Sequence, residues 1–311
     1  MQKIENEAIA EMYEQVRWYF SGILDCIEHV GKKDLFLRSS LKTFGAPSEL
    51  DIQRARLIIK ASSHKLDAKR DNSIHSTEEA LHYMKAFIDT YGFEVSVKSA
   101  THISSKAMVS NSKKAVILKR GERFSPLELE ALANHEIGVH LVTTFNADNQ
   151  KLKLFSLGFP FNVQTQEGLA VLAEYNSGTL DFNRIFELAV RVVLADNVIK
   201  GYSFAISFDQ LVEDFKLPRD HAFKLVTRLY RGGGFTKDRL YLPGFLDLLH
   251  QSLDSEVMDW FLAGKTASEY YYIKPILEEH ELLLPNTFQS GSFNTVKAIN
   301  KEVAQLLQRL K

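Results

Sequence analysis

The sequence predicts an α+β chain that is mostly α, with a small antiparallel sheet between extensive N- and C-terminal helices. Three observations carry this. Apolar residues recur at helical spacing over roughly the first ninety positions. The period then shortens to alternation between residues 93 and 118. The helical period returns after that and persists to the last residues. No shift in composition marks a boundary, so 1–311 reads as a single domain. Its parts are an N-terminal helical stretch (1–92), a sheet with two following helices (93–178) and a C-terminal helical stretch (179–311).

The first helix carries Ile4, Ile9, Met12, Val16, Tyr19, Phe20, Ile23 and Ile27 on one face. A second is expected over 50–68, with Ile52, Ala55, Ile58, Ile59 and Leu66 as its apolar stripe. A third starts after Ser76, whose Ser-x-x-Glu pattern with Glu79 is a capping box, and runs to Tyr91 before Gly92 closes it. Strands follow at 93–97, 107–109 and 115–118, with turn residues at 110–112 and 119–121. The strand at 115–118, just before the next helix, is a candidate edge for holding an extended peptide by main-chain pairing. Ser125 can cap that helix, Pro126 suits its first position and Glu128 completes a second capping box. It is expected to run to about Thr144, with a loop over 145–161 and another helix over 165–178. Helices are then expected at 182–199, 208–215, 218–231, 244–252, 268–281 and 295–310, interrupted by a glycine-rich break at 231–238.

Composition excludes several classes of function. The 38 basic and 39 acidic residues nearly cancel, which gives no support for a nucleic-acid or polybasic membrane binder. No apolar run reaches the ~18 residues of a membrane span, and residues 1–14 lack the features of a signal peptide. The single cysteine, Cys26, cannot build a disulfide framework or a Cys-rich zinc site, and a cytoplasmic setting is expected. A metal in this chain must therefore be held by histidine and carboxylate.

One segment has the pattern for that. Asn134-His135-Glu136-Ile137-Gly138-Val139-His140 is His-Glu-x-x-x-His, one residue longer than the His-Glu-x-x-His of zinc metallopeptidases. The chemistry wants two neutral imidazoles on one side of a tetrahedral Zn²⁺, and a carboxylate that takes the proton of the attacking water. Five residues apart on a regular helix, the two imidazoles differ by about 140°. A wider π-type turn brings them to about 50°, so a wide turn is expected at 137–139, where Gly138 tolerates distortion. The flanking Ala131, Leu132, Ala133, Ile137, Val139, Leu141 and Val142 bury this helix almost all round, and buried imidazoles and carboxylates need partners. A metal satisfies all three.

A second motif follows, Gln164-Thr165-Gln166-Glu167-Gly168-Leu169-Ala170-Val171-Leu172-Ala173-Glu174-Tyr175. Thermolysin-like sites take a third ligand, a glutamate, from a following helix, and Glu167 is placed for it. Glu174, seven residues on and on the same face, could orient a ligating histidine from outside. The converse assignment, Glu174 as ligand and Glu167 outside, stays open.

His-Glu-x-Gly-x-His followed by Gln-Glu-Gly-Leu-Ala resembles the QEGLA-motif family, whose bacterial members are called flavohaemoglobin expression-modulating proteins. Vertebrate relatives include the microtubule-associated tyrosine carboxypeptidase, which removes the C-terminal tyrosine of α-tubulin. The resemblance implies a zincin-like metallopeptidase core with Zn²⁺ on His135, His140 and Glu167, and Glu136 as the catalytic glutamate. It implies a carboxypeptidase acting on a peptide or protein C-terminus. The long disordered extension that vertebrate members carry ahead of the catalytic domain is expected to be missing here, which puts tubulin as partner and substrate in doubt. The alternatives are an aminopeptidase or endopeptidase, and a non-catalytic regulator that keeps zinc structurally.

The 231–241 segment resembles a family element. Its glycines, Arg231, Lys237 and Arg239 could bind a substrate carboxylate, and Tyr241 or Tyr230 could donate to an oxyanion. His102, His221, His250, Cys26 and the run Tyr270-Tyr271-Tyr272 read as structural or surface residues.

Overall fold

The structure is a computed structural model, and it describes residues 6–62, 74–103, 105–251, 253–294 and 299–310. The chain divides into two compact units. One comprises Met1–Leu66, Phe182–Leu246 and Gln308–Lys311, the other Asp67–Asp181 and Asp247–Leu307.

The first unit is helical. Glu7–Glu28 starts at Asn6, whose side chain accepts from the Ile9 N–H, and it buries Ile9, Met12, Tyr19 and Cys26. Ile4 and the end of the expected 50–68 helix lie outside the described residues; the described part of the latter is Glu49–Ser62. This helix packs on Phe182–Ile199 through the side that carries Ala55, Ile58 and Ile59. Phe182–Ile199 has the bounds read from its periodicity and is buried nearly throughout. The expected 208–215 helix begins earlier, because Ser203 caps it, and it ends in a wide turn over Gln210–Asp214. Arg219–Tyr230 follows Pro218. The glycine-rich break forms two 3₁₀ turns, Arg231–Gly233 and Thr236–Leu240. Gly232, Gly233 and Gly234 all have positive φ, and a Cβ on Gly233 would stand 2.7 Å from the Lys33 Cα. Only glycine fits that close an approach to the start of Lys33–Phe44.

The second unit holds the sheet. Thr77–Asp89 opens on a complete capping box between Ser76 and Glu79. The strands are β1 (Ser96–Ala100), β2 (Ala107–Ser110) and β3 (Ala115–Lys119), in the order β1-β3-β2. β2 pairs antiparallel with β3, as alternation with a tight turn predicts, but β1 pairs parallel to it. Alternation sets which face is buried and says nothing of strand direction. β1 also starts later than expected, because Phe93 leaves the strand to stack on Phe145 (4.4 Å) and Tyr91 (5.1 Å). The candidate peptide-holding strand, 115–118, is the central one; both its sides are paired, so the edges are β1 and β2.

The long helix after the sheet, here the site helix, runs as Pro126–Leu132, Ala133–Leu141 and Val142–Asn149 without a break. Ser125 accepts from the Glu128 N–H (3.1 Å), but the Glu128 carboxylate pairs with Lys106 (2.8 Å), so half of the expected capping box forms. The helix passes Thr144 because Asn146 and Gln150 are tied to distant backbone, at Leu262, Phe288 and Leu284. The expected loop over 145–161 thus contains the helix end and a single turn, Leu154–Leu157. Asn162–Asn176 begins three residues before the expected 165. Ser255–Leu262 is a helix the sequence reading missed, and Trp260 packs its ring against Phe155 and Phe159. The 268–281 helix is a 3₁₀ turn, Ser268–Ile273, continued by Lys274–Glu279. Of the expected 295–310 helix, Lys301–Gln308 is present and 295–298 lie outside the described residues. No helix among the described residues is long and apolar enough to cross a membrane.

Candidate metal centre

The site helix is π-helical over Ala133–Leu141, so the wide turn expected at 137–139 exists and extends a few residues to each side. Its consequence is geometric. With about 4.4 residues per turn, His135 and His140 come to the same side, and their ring centroids lie 5.0 Å apart. Such a turn leaves carbonyls without regular helical partners, and side chains take them over. Asn134 Nδ2 donates to the Glu130 carbonyl (2.8 Å), and the Thr144 and Thr143 hydroxyls donate to the His140 carbonyl (2.7 and 3.1 Å).

The helix Asn162–Asn176 supplies the carboxylates. Glu167 Oε2 lies 3.6 Å from Nε2 of both His135 and His140. One donor atom from each of the three residues falls within 4.8 Å of the others, and the group could hold a metal ion. A tetrahedral ion bonded at ~2.0–2.1 Å separates its donors by about 3.3 Å, close to the spacing found. Glu174 reaches the other side of the His135 ring, accepting from Nδ1 at 2.8 Å. A carboxylate can only accept, so Nδ1 carries a hydrogen, and Nε2 is the ring nitrogen that faces Glu167.

The charge balance also fits a cation. Burial alone would hold the His135 imidazole neutral, but the Glu167 and Glu174 carboxylates outweigh it and push its pKa up to about 9. A proton on this ring stands where a metal would; binding a metal releases it. Three carboxylates, Glu136, Glu167 and Glu174, surround two imidazoles here.

Glu136 is held from the sheet side. Its Oε2 accepts from the Val109 N–H at 3.1 Å. That N–H leaves the free edge of β2, and sequence reading had no signal for it because the donor is backbone. Two further contacts were missed. Gln166, beside Glu167 in the motif, donates through Nε2 to the carbonyls of Phe261 (3.3 Å) and Thr266 (3.4 Å). Ser292 Oγ donates to Asn134 Oδ1 at 2.6 Å across 158 residues, with no local motif to announce it.

Arg231, Lys237 and Tyr241, the expected substrate-binding residues, belong to the first unit. Arg231 lies over the Phe235 ring and 3.6 Å from Asp238, and its side chain is 39% exposed. The Tyr241 ring has the Arg191 guanidinium at 5.2 Å and the Lys237 ammonium at 5.8 Å. Arg239 is not available to a ligand: it donates to the carbonyls of Phe44 (2.6 Å) and Gly45 (3.2 Å) at a helix end. The Tyr230 hydroxyl is likewise engaged, donating to the Tyr202 carbonyl (2.9 Å) beside Ser207 Oγ. His221 pairs with Glu187 at 2.8 Å, a structural role as expected.

The sequence model of a family described as microtubule-associated tyrosine carboxypeptidase matches residues 1–311. No curated protein matches the chain.

Proposed function

The chain belongs to the microtubule-associated tyrosine carboxypeptidase family, and from that premise we propose how its residues work as a zinc-dependent metallopeptidase of carboxypeptidase type. The observation that carries the reading is the cluster of three donors, His135, His140 and Glu167, with Glu136 on the same wide turn. Closed structural zinc sites use four protein ligands, whereas catalytic ones use three and keep a position open. The site helix carries both imidazoles and the next helix the carboxylate, which supports reading the core as zincin-like.

His135, His140 and Glu167 would hold Zn²⁺, which would supply Lewis acidity towards the scissile carbonyl and the attacking water. Glu136 takes the proton of the attacking water and passes it to the leaving amine. The Val109 N–H holds one of its oxygens and leaves the other for the proton. Glu174 fixes the His135 ring and strengthens it as a donor. The substrate is a peptide or protein C-terminus. Arg231 and Lys237, with Tyr241 near the Lys237 ammonium, are proposed as carboxylate-binding residues by their charge and by the exposure of Arg231. The single buried thiol, Cys26, suits a cytoplasmic setting.

The test is metal analysis of the wild type and Glu136→Gln, with both tried on a library of peptide C-termini. Zinc in both and cleavage by the wild type alone is expected. A wild type without zinc refutes the site, and full hydrolysis by Glu136→Gln refutes the mechanism. Zinc with no cleavage of any peptide favours a regulator.

A further inference from the structure

A wide turn does not hold itself. Its hydrogen bonds are poorer than those of an α-helix, and the chain relaxes to regular winding unless something opposes it. On the site helix the opposition comes from far along the sequence. Asn134 spans the turn's start by donating to the Glu130 carbonyl, and its own Oδ1 is held by the Ser292 hydroxyl at 2.6 Å. Both side chains are buried. Ser292 sits in the single turn Gly291–Asn294, which is fixed by the Gly291 N–H donating to the Tyr91 hydroxyl (3.1 Å) and the Ser292 N–H donating to Ser290 Oγ (3.3 Å). The same segment presses on the spacer between the histidines. A Cβ on Gly138 would stand 2.7 Å from Ser292 Oγ, so only glycine admits the hydroxyl at that distance.

We propose that Asn134 and Ser292 are positioning residues for the metal ligands, a buried clamp that keeps the wide turn open so that His135 and His140 face one ion. The inference rests on the metal-site reading above. Asn134 directly precedes His135 and Gly138 lies between the two ligands, so the clamp grips the turn on both sides of the first imidazole. Removing the hydroxyl leaves the Asn134 carbonyl oxygen buried and unpaired. It also lets the turn wind back towards 3.6 residues, where the two rings diverge by about 140°.

The experiment compares wild type, Ser292→Ala, Asn134→Asp, Gly138→Ala and the double variant Gly138→Ala/Ser292→Ala. Three quantities are read: Zn²⁺ affinity by competition with a chelating dye, the visible absorption of the Co²⁺-substituted protein, and the melting temperature without metal. Ser292→Ala and Asn134→Asp are expected to bind Zn²⁺ about 10- to 100-fold more weakly, the range for groups that orient ligands from outside. Their Co²⁺ spectra should lose the intensity of a four-coordinate ion. Gly138→Ala should weaken binding too, and adding Ser292→Ala should weaken it no further, because the hydroxyl met by the new methyl is gone. A role in packing alone would lower the melting temperature and leave affinity and spectrum unchanged; that result, or additive losses in the double variant, overturns the clamp. A wild type that binds neither ion overturns the metal site itself, and the clamp with it, before any variant is compared.

Discussion

Glu174→Gln is the substitution that best separates a ligand from the group supporting it. The amide keeps an oxygen that can accept from His135 Nδ1 at the present 2.8 Å, so the change removes charge and leaves shape. A hydrogen bond to a charged group contributes ~1.5–3 kcal/mol, against ~0.5–1.5 for a neutral one. The difference, about 1–1.5 kcal/mol, corresponds to about a five- to twelvefold loss of zinc affinity. Glu167→Gln acts differently, because it degrades one of the three donors. Zinc sites with four protein ligands bind with about 10–16 kcal/mol, so one donor accounts for about 3–4 kcal/mol, several hundredfold in affinity. The assay is competition with a chromophoric chelator at fixed pH, with bound zinc counted after gel filtration. Near wild-type binding by Glu167→Gln together with loss of zinc in Glu174→Gln would refute the assignment and make Glu174 the third ligand.

Val109→Pro deletes the N–H that holds Glu136 while sparing the pairing of β2 with β3, since that N–H points off the sheet edge. We expect kcat to fall about tenfold with zinc content unchanged, the size of a lost charge-assisted bond; an unchanged kcat would show that Glu136 needs no such anchor. Gly233→Ala should destabilise the protein by more than ~1–2 kcal/mol in urea titrations, because its φ of 121° and its 2.7 Å approach to the Lys33 Cα both exclude a side chain. A neutral Gly233→Ala would mean that the turn relaxes freely. Glu187 gives a pH dependence. Burial raises its pKa, but the hydrogen bond from His221 and the Arg191 charge win and bring it down to about 2, from 4.5. The stabilisation is therefore complete above pH ~4.5 and is lost as the pH falls towards 2. The gap corresponds to about 3 kcal/mol unscreened, and about half that for a side chain 27% exposed. Stability of the wild type should fall more steeply than that of Glu187→Gln across that range, and equal slopes would count against the pairing.

What could be read in the sequence was whatever local chemistry determines. The Ser76–Glu79 box, Pro126 at a helix start and the unbroken stripe of Phe182–Ile199 are contained in a few neighbouring residues, and they appear where expected. The wide turn was legible for a similar reason: two histidines five apart are incompatible with a regular helix if they share an ion. Other features depend on partners far along the chain. Nothing near Asn146 says that its amide bonds Leu262 and Phe288, so the end of the site helix was placed too early. Strand alternation shows which face of β1 is buried but not which way it runs beside β3. The anchor of Glu136 is a backbone N–H, which every residue but proline has, so no side-chain pattern could reveal it.

The supports of the site also impose an order in time. His135, His140 and Glu167 emerge from the ribosome long before the groups that steady them: Gln166 leans on Phe261 and Thr266, and Asn134 on Ser292. From Glu167 to Ser292 is 292 − 167 = 125 residues, about 6–25 s of synthesis at ~5–20 residues per second. During that interval the nascent chain displays all three donors without the shape that makes them selective. If the proposed site holds zinc, tight loading waits until Ser292 has been made, and a nascent chain stopped at residue 181 would carry His135, His140 and Glu167 and still hold metal poorly.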